Sequence, residues 1–212
     1  MDADFWHQRW QANQIGFHQS RVNALLAAFV KTMNLAPGAG IFVPLCGKTL
    51  DIAWLREQGY RVLGAELSEI AIRQLFEEMA LAPEVTLLGK VTRYAAKDVE
   101  IFVGDIFDLN AETLGPVDAV YDRAALVALP PEMRMQYARQ MVGLTRHAPQ
   151  LLITFEYDQS VISGPPFSVT AGEVERLYGN DYRLKSVKTR AVEGGLKGIC
   201  PAEETLWTMT RT

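Results

Sequence analysis

Four places along this chain put chemistry-bearing residues at the end of an apolar run. Ile41-Phe42-Val43 leads into Pro44-Leu45-Cys46-Gly47, and Arg61-Val62-Leu63-Gly64-Ala65 ends in Glu66. Ile101-Phe102-Val103 ends in Gly104-Asp105-Ile106, and Ala119-Val120-Tyr121 in Asp122-Arg123. Gly47 lets a backbone approach a ligand or take a positive φ. A carboxylate at Glu66 can accept both hydroxyl donors of a ribose; the alternative is an exposed polar residue where a strand stops. Asp105 can accept from an adenine amino group with Ile106 against the ring, or make an Asx turn leaving its strand. Asp122-Arg123 offers a fixed charge beside the first loop, or a surface ion pair.

Taken in chain order these are a backbone loop, a ribose acceptor, an adenine acceptor and a polar wall. That order suits an amino-acid-bearing nucleoside, S-adenosylmethionine. Gly47-Lys48-Thr49 has the ending of a phosphate loop, but Phe42 stands where such a loop needs its first glycine. No G-x-G-x-x-G run is present to seat a pyrophosphate on a helix N-terminus. Lys48 is therefore expected to be solvated, and Cys46 to pack as a small residue under the bound molecule.

The elements that must position these residues alternate between strand and helix. A helix from Leu50 is capped by Thr49 and stops at Gly59; Ser68 caps another, with Ile70, Ile72, Leu75, Phe76 and Met79 as its apolar stripe. Upstream, Val22, Leu25, Leu26, Phe29, Val30 and Met33 have helical spacing up to Pro37-Gly38. Residues 83–98 read as a small extended excursion. Pro130-Pro131 begins a helix to about Arg146, and Leu151–Phe155 is a further strand. Tyr182–Thr189 and Leu206–Thr210 close the chain as strands around Glu193-Gly194-Gly195. This alternation predicts a mostly parallel sheet covered on both faces, with ligands bound past the carboxyl ends of its strands.

The 212 residues are 49% hydrophobic, enough for one domain with a sizeable core. A net charge of -4 with intermixed signs gives no basic footprint for nucleic acid or an anionic membrane. Cys46, Cys200, His7, His18 and His147 show neither disulfide nor metal-ligand spacing. Met1-Asp2-Ala3-Asp4 lacks the basic start of a signal peptide. The expectation is a cytoplasmic monomer without a metal, with no nucleic-acid or membrane partner.

Near the N-terminus, Phe5-Trp6 and Arg9-Trp10 put two indoles on one helical face, followed by Gly16-Phe17-His18. With Val43-Pro44-Leu45-Cys46-Gly47-Lys48, Gly64-Ala65-Glu66-Leu67-Ser68 and Tyr121-Asp122-Arg123-Ala124-Ala125-Leu126-Val127-Ala128-Leu129, these segments cover nearly the whole chain. On them the chain resembles the thiopurine S-methyltransferases of the short bacterial type. The resemblance implies a class I methyltransferase fold, Rossmann-like, with a seven-stranded, mostly parallel sheet, helices on both faces and the last strand antiparallel. It implies cofactor contacts at Trp10, Leu45, Glu66 and Arg123, and Arg123 near cofactor and substrate. The family methylates thiopurines and aromatic thiols; bacterial relatives are associated with selenium and tellurium species, including tellurite resistance. A second arginine that some relatives carry upstream is absent where Ala119 and Val120 stand.

The reading is then a single S-adenosylmethionine-dependent methyltransferase domain over residues 1–212, with 1–20 as a lid segment. Its acceptor is a small-molecule thiol or chalcogen compound. The catalytic residues are Arg123 and Asp122. The cofactor is held by Trp10, Leu45, Gly47, Glu66, Leu67, Asp105, Ile106 and Arg123. Trp6, Phe17 and Phe167 offer flat apolar surfaces to the acceptor, although such aromatics also serve simply to pack on a core. Two other readings compete: a nicotinamide-dependent oxidoreductase with a degenerate glycine loop, and a nucleoside-sensing module on the same fold.

Overall fold

A computed structural model describes residues 3–16 and 18–212. The chain divides into two compact units, Met1–Ala119 and Val120–Thr212.

The first unit contains, in chain order, α1 (Ala3–Gln11), α2 (Ala24–Phe29), β1 (Gly40–Val43), α3 (Leu50–Glu57), β2 (Arg61–Glu66), α4 (Glu69–Glu78), β3 (Glu84–Leu88), β4 (Val91–Ala96), β5 (Val99–Val103) and α5 (Ala111–Leu114). Its strands lie in the order β3-β4-β5-β2-β1. β1, β2 and β5 are parallel, with Val43 beside Gly64 and Glu66 beside Val103, so their carboxyl ends share one edge. Ile41, Phe42, Val62, Leu63, Val99 and Ile101 are all buried, as strands covered on both faces require.

The helix starts follow the expected caps. Thr49 accepts from the Asp51 N–H and Ser68 from the Ala71 N–H, satisfying donors that a first helical turn leaves open. Three details depart from the sequence reading. The helix predicted across Val22–Met33 is shorter: α2 gives way to a 3-10 turn, Val30–Met33, ended by Asn34 at φ 50°. On α4, Ile70 is 37% exposed, because two residues before Ile72 lies about 200° around the helix. The excursion over 83–98 is a hairpin, β4 pairing antiparallel with β5 and β3 with β4.

The second unit contains β6 (Ala119–Arg123), which starts at the boundary, then α6 (Pro131–Thr145), β7 (Gln150–Tyr157), α7 (Ala171–Tyr178), β8 (Tyr182–Ala191) and β9 (Ala202–Arg211). The order is β6-β7-β9-β8. β6 and β7 are parallel, while β9, the last strand, runs antiparallel to both β7 and β8. β9 begins before the predicted Leu206, and the connection carries a bridge between Leu196 and Cys200. The described residues thus contain nine strands where seven were predicted; the added pair is the β3–β4 hairpin. No helix among the described residues is long and apolar enough to cross a membrane.

Candidate active site

The loops leaving β1 and β5 are both fastened to the end of β2. The Cys46 N–H donates to the Ala65 carbonyl at 3.0 Å, and the Gly104 N–H to the Glu66 carbonyl at 2.9 Å. The chain leaves β1 through two left-handed residues, Leu45 at φ 45° and Gly47 at φ 51°. In a leucine that conformation costs roughly 1–2 kcal/mol, an expense typical of segments that shape a site. Trp10, 4% exposed at the end of α1, lies against this loop: a methyl on Gly47 would stand 3.1 Å from its Cζ2. Both the backbone angle and the indole therefore require glycine here.

Glu66 is 7% exposed, so it is not a solvent-facing strand end. Oε2 accepts from the Gly47 N–H and Oε1 from the Ser68 N–H, each at 2.8 Å. Burial pushes its pKa up, while bonds from the Ser68, Gly47 and Leu67 N–H groups pull it down. A carboxylate offers about four lone-pair positions, so these backbone bonds leave acceptor capacity to spare. Leu67 follows, half-buried. Asp105 makes the Asx turn: its Oδ1 accepts from the Phe107 N–H at 3.0 Å and starts the 3-10 turn Ile106–Asp108, in which Ile106 is buried. An adenine contact would use the remaining capacity of this carboxylate.

The Cys46 thiol is buried, and burial together with the negative charge of Glu66 pushes its pKa well up, the opposite of what a nucleophilic cysteine needs. Lys48 is not solvated as expected. Its side chain is 12% exposed and its Nζ pairs with Glu78 Oε1 of α4 at 2.7 Å. Asp51 is buried one turn further on, where its Oδ1 accepts from the Asn23 N–H at 2.8 Å and ties α3 to the cap of α2.

In the second unit, Asp122 is fully buried, which removes the surface-ion-pair alternative. Its Oδ2 accepts from the Tyr137 hydroxyl at 2.7 Å and its Oδ1 from the Leu126 N–H at 3.1 Å. The carboxylate therefore braces the turn after β6, where Ala124 takes φ 62°. Burial pushes its pKa up to about 6. Arg123 is half-buried, and its Nε is buried without a hydrogen-bond partner among the described residues. Phe167 is half-buried in the loop before α7, its N–H donating to the Val127 carbonyl at 2.6 Å.

The structure thus gathers Trp10, Leu45, Gly47, Glu66, Leu67, Asp105 and Ile106 along one edge of three parallel strands, and holds Phe167 on the turn that follows Asp122-Arg123. Trp6 is half-exposed and meets Phe5 edge-on at 5.2 Å. Phe17 lies outside the described residues. Trp10, on the same helix as Trp6, is buried against the Gly47 loop. Sequence reasoning missed Tyr137, whose partner is 15 residues away, and Arg134, whose farthest is 39 residues away. No local pattern marks either. Among the described residues, no group of three or more His, Cys, Asp or Glu could hold a metal ion.

Comparison with known proteins adds four findings. The family profile described as thiopurine S-methyltransferase (TPMT) matches residues 1–212. A thiopurine S-methyltransferase of Xanthobacter autotrophicus is 56% identical over 212 residues, covering all of both chains. Among solved structures, magnesium protoporphyrin IX methyltransferase from Synechocystis, with bound S-adenosylhomocysteine, superposes with a TM-score of 0.68 at 13% identity, covering 99% of this chain and 100% of that one. A Burkholderia thailandensis 1,6-didemethyltoxoflavin-N1-methyltransferase, with bound 1,6-didemethyltoxoflavin and S-adenosylhomocysteine, gives 0.67 at 16% identity, covering 98% and 87%. These structures share the fold, a Rossmann-like class I methyltransferase with a mostly parallel sheet.

Proposed function

The chain belongs to the thiopurine S-methyltransferase family and is an S-adenosylmethionine-dependent methyltransferase; we propose that its acceptors are thiopurines and other small aromatic thiols. The acceptor class rests on the family; the observation that carries the cofactor reading is Glu66, a buried carboxylate at the end of β2, oriented by backbone N–H groups with acceptor capacity to spare. That is the group a ribose diol needs at this place in the fold. The Nε of Arg123, without a partner among the described residues, likewise fits a site completed by a bound molecule. Family membership leaves no support for the nicotinamide oxidoreductase.

The roles follow residue by residue. Glu66 holds the ribose; Gly47, Leu45 and Trp10 form the loop and wall around the amino-acid end. Leu67, Asp105 and Ile106 frame the adenine. S-adenosylmethionine supplies a methyl carbon already activated on a sulfonium. The protein's task is then alignment and exclusion of water. Arg123 contacts the cofactor and favours the thiolate of the acceptor, and Phe167, Trp6 and Phe17 present apolar faces to its ring. A thiopurine sulfur is acidic enough that no strong base is required. Asp122 acts through the backbone of its turn and is a positioning residue. The match over residues 1–212 supports reading the chain as one methyltransferase domain; in the same proposal residues 1–20 form its lid. The same proposal places it in the cytoplasm as a monomer, in keeping with two free, buried cysteines.

The test is a product assay with S-adenosylmethionine and a panel of 6-thiopurine, thiophenol, selenite and tellurite. A methylated thiopurine and stoichiometric S-adenosylhomocysteine are expected. Methylation confined to the selenium or tellurium arms would move the acceptor class to chalcogen oxyanions. Cofactor binding without any methylated product would leave a nucleoside-sensing module.

A further inference from the structure

Arg134, in the first turn of α6, is 1% exposed. A guanidinium so buried is costly unless its donors are used. Its Nε donates to the Leu129 carbonyl at 2.9 Å, and its Nη1 to the Ser168 carbonyl at 3.2 Å and Glu173 Oε2 at 2.7 Å, while Nη2 is buried without a hydrogen-bond partner among the described residues. The guanidinium carbon lies 5.7 Å from the centre of the Phe167 ring.

These contacts join three segments. Leu129 closes the turn that follows Arg123, Ser168 adjoins Phe167, and Glu173 is in the first turn of α7. Thr170-Ala171-Gly172-Glu173 spells a capping box, in which the glutamate ordinarily bonds back to the cap. Here Glu173 gives one oxygen to Arg134 and the other to Arg176 instead. The loop is further committed at Gly164, at φ 86°, where a methyl would stand 2.5 Å from Phe167 Cδ1. A buried ion pair adds little net stability over apolar packing, whereas a planar fork with directed donors fixes geometry.

We propose that Arg134 is a positioning residue for the methyl acceptor: it sets the placement of Phe167 on the Leu126–Leu129 turn and so selects which thiol rings are accepted. The proposal rests on the reading of Phe167 as part of the acceptor wall. Lysine keeps the charge but not the three-way fork, so Arg134→Lys should loosen the ring's placement without touching the cofactor's residues.

The experiment compares full-length wild type, Arg134→Lys, Glu173→Gln and Phe167→Leu. For each, kcat and KM are measured with a bicyclic thiopurine and with monocyclic thiophenol, alongside S-adenosylhomocysteine affinity by calorimetry. In Arg134→Lys, the KM for thiopurine should rise roughly tenfold or more. The ratio of kcat/KM between the two acceptors should shift in the same direction as in Phe167→Leu, with S-adenosylhomocysteine affinity unchanged. If Phe167→Leu shifts that ratio and folded Arg134→Lys does not, the proposal is wrong. Glu173→Gln, which keeps the side chain's size, decides in the same way should Arg134→Lys not fold. If Phe167→Leu itself changes neither ratio nor KM, the acceptor-wall reading falls and takes the proposal with it.

Discussion

The N–H of Gly47 donates to Glu66 Oε2 at 2.8 Å, so the carboxylate ending β2 is fastened to the loop that ends β1. Because Ser68 donates to the other oxygen, removing the carboxylate has two consequences. Glu66→Ala leaves two buried N–H groups unpaired, costing on the order of 1–3 kcal/mol each. On the proposed ribose role it should also lower S-adenosylhomocysteine affinity about tenfold to hundredfold. Calorimetric titration and chemical denaturation on one preparation separate the two effects. A folded variant with the wild-type dissociation constant would rule out the ribose role.

How much of this was legible in the sequence depended on distance along the chain. β2 and the caps Thr49 and Ser68 were readable because an apolar run and a capping side chain are neighbours in sequence. The β3–β4 hairpin was blurred because the alternation of Glu84-Val85-Thr86-Leu87 is short and its apolar residues, Val85 and Leu87, face solvent, so no core-facing side marks the outer strand. Lys48 was misread because Glu78, which covers it, lies 30 residues away on α4. Glu66 is legible as an acceptor at a strand end, and the Ser68 N–H is its near neighbour, but the Gly47 N–H, 19 residues back, reaches it only because of how the β1 loop returns, which the fold alone reveals. Asp122 was read as a partner for Arg123; Tyr137, 15 residues on, claims it instead.

The contact of Trp10 with Gly47 makes a prediction about α1. Nine residues are too few for a stable helix alone, so α1 depends on its docked indole. Gly47→Ala imposes a strained φ and pushes on Cζ2 of Trp10. Amide exchange across residues 3–11 should accelerate in this variant and slow in wild type when S-adenosylhomocysteine and an acceptor bind. Equal exchange in wild type with and without ligands would make α1 plain scaffold and remove the lid from the mechanism.

The buried carboxyl of Asp122 predicts a pH dependence of stability. Its pKa in the folded chain is about 6, against an ordinary 3.8. Between those values the folded chain holds the proton more tightly than the unfolded chain. Stability therefore falls as pH rises through this window, by on the order of 3 kcal/mol, and stays lowered above it. Asp122→Asn has no such titration, so wild type should lose ground relative to the variant between pH 4 and pH 7.5. Urea denaturation of both proteins at the two pH values measures this; parallel behaviour would mean that the hydrogen bonds from Tyr137 and Leu126 fully offset burial.

Arg123 bears the most exposed prediction, because its Nε is buried without a partner among the described residues and the turn around it is held by Asp122 through the Leu126 N–H. An arginine so placed has been given a rigid backbone and a donor left for something else. If that donor serves the reacting sulfur, it favours the thiolate and holds the acceptor in line. Lysine would keep the charge and lose the planar fork that pre-organises such contacts. Arg123→Lys should then bind S-adenosylhomocysteine nearly as wild type does. Turnover should drop about tenfold to hundredfold, as expected for a lost charge-assisted bond. The loss should be steepest for the least acidic thiols, which depend most on help in ionising. A series of substituted thiophenols reads this as a change in the slope of log kcat/KM against thiol pKa. A slope like that of wild type, with cofactor affinity lost in proportion to activity, would assign the side chain to the cofactor alone. Normal turnover across the series would reduce Asp122-Arg123 to scaffold, and the group that favours the thiolate would have to be sought elsewhere.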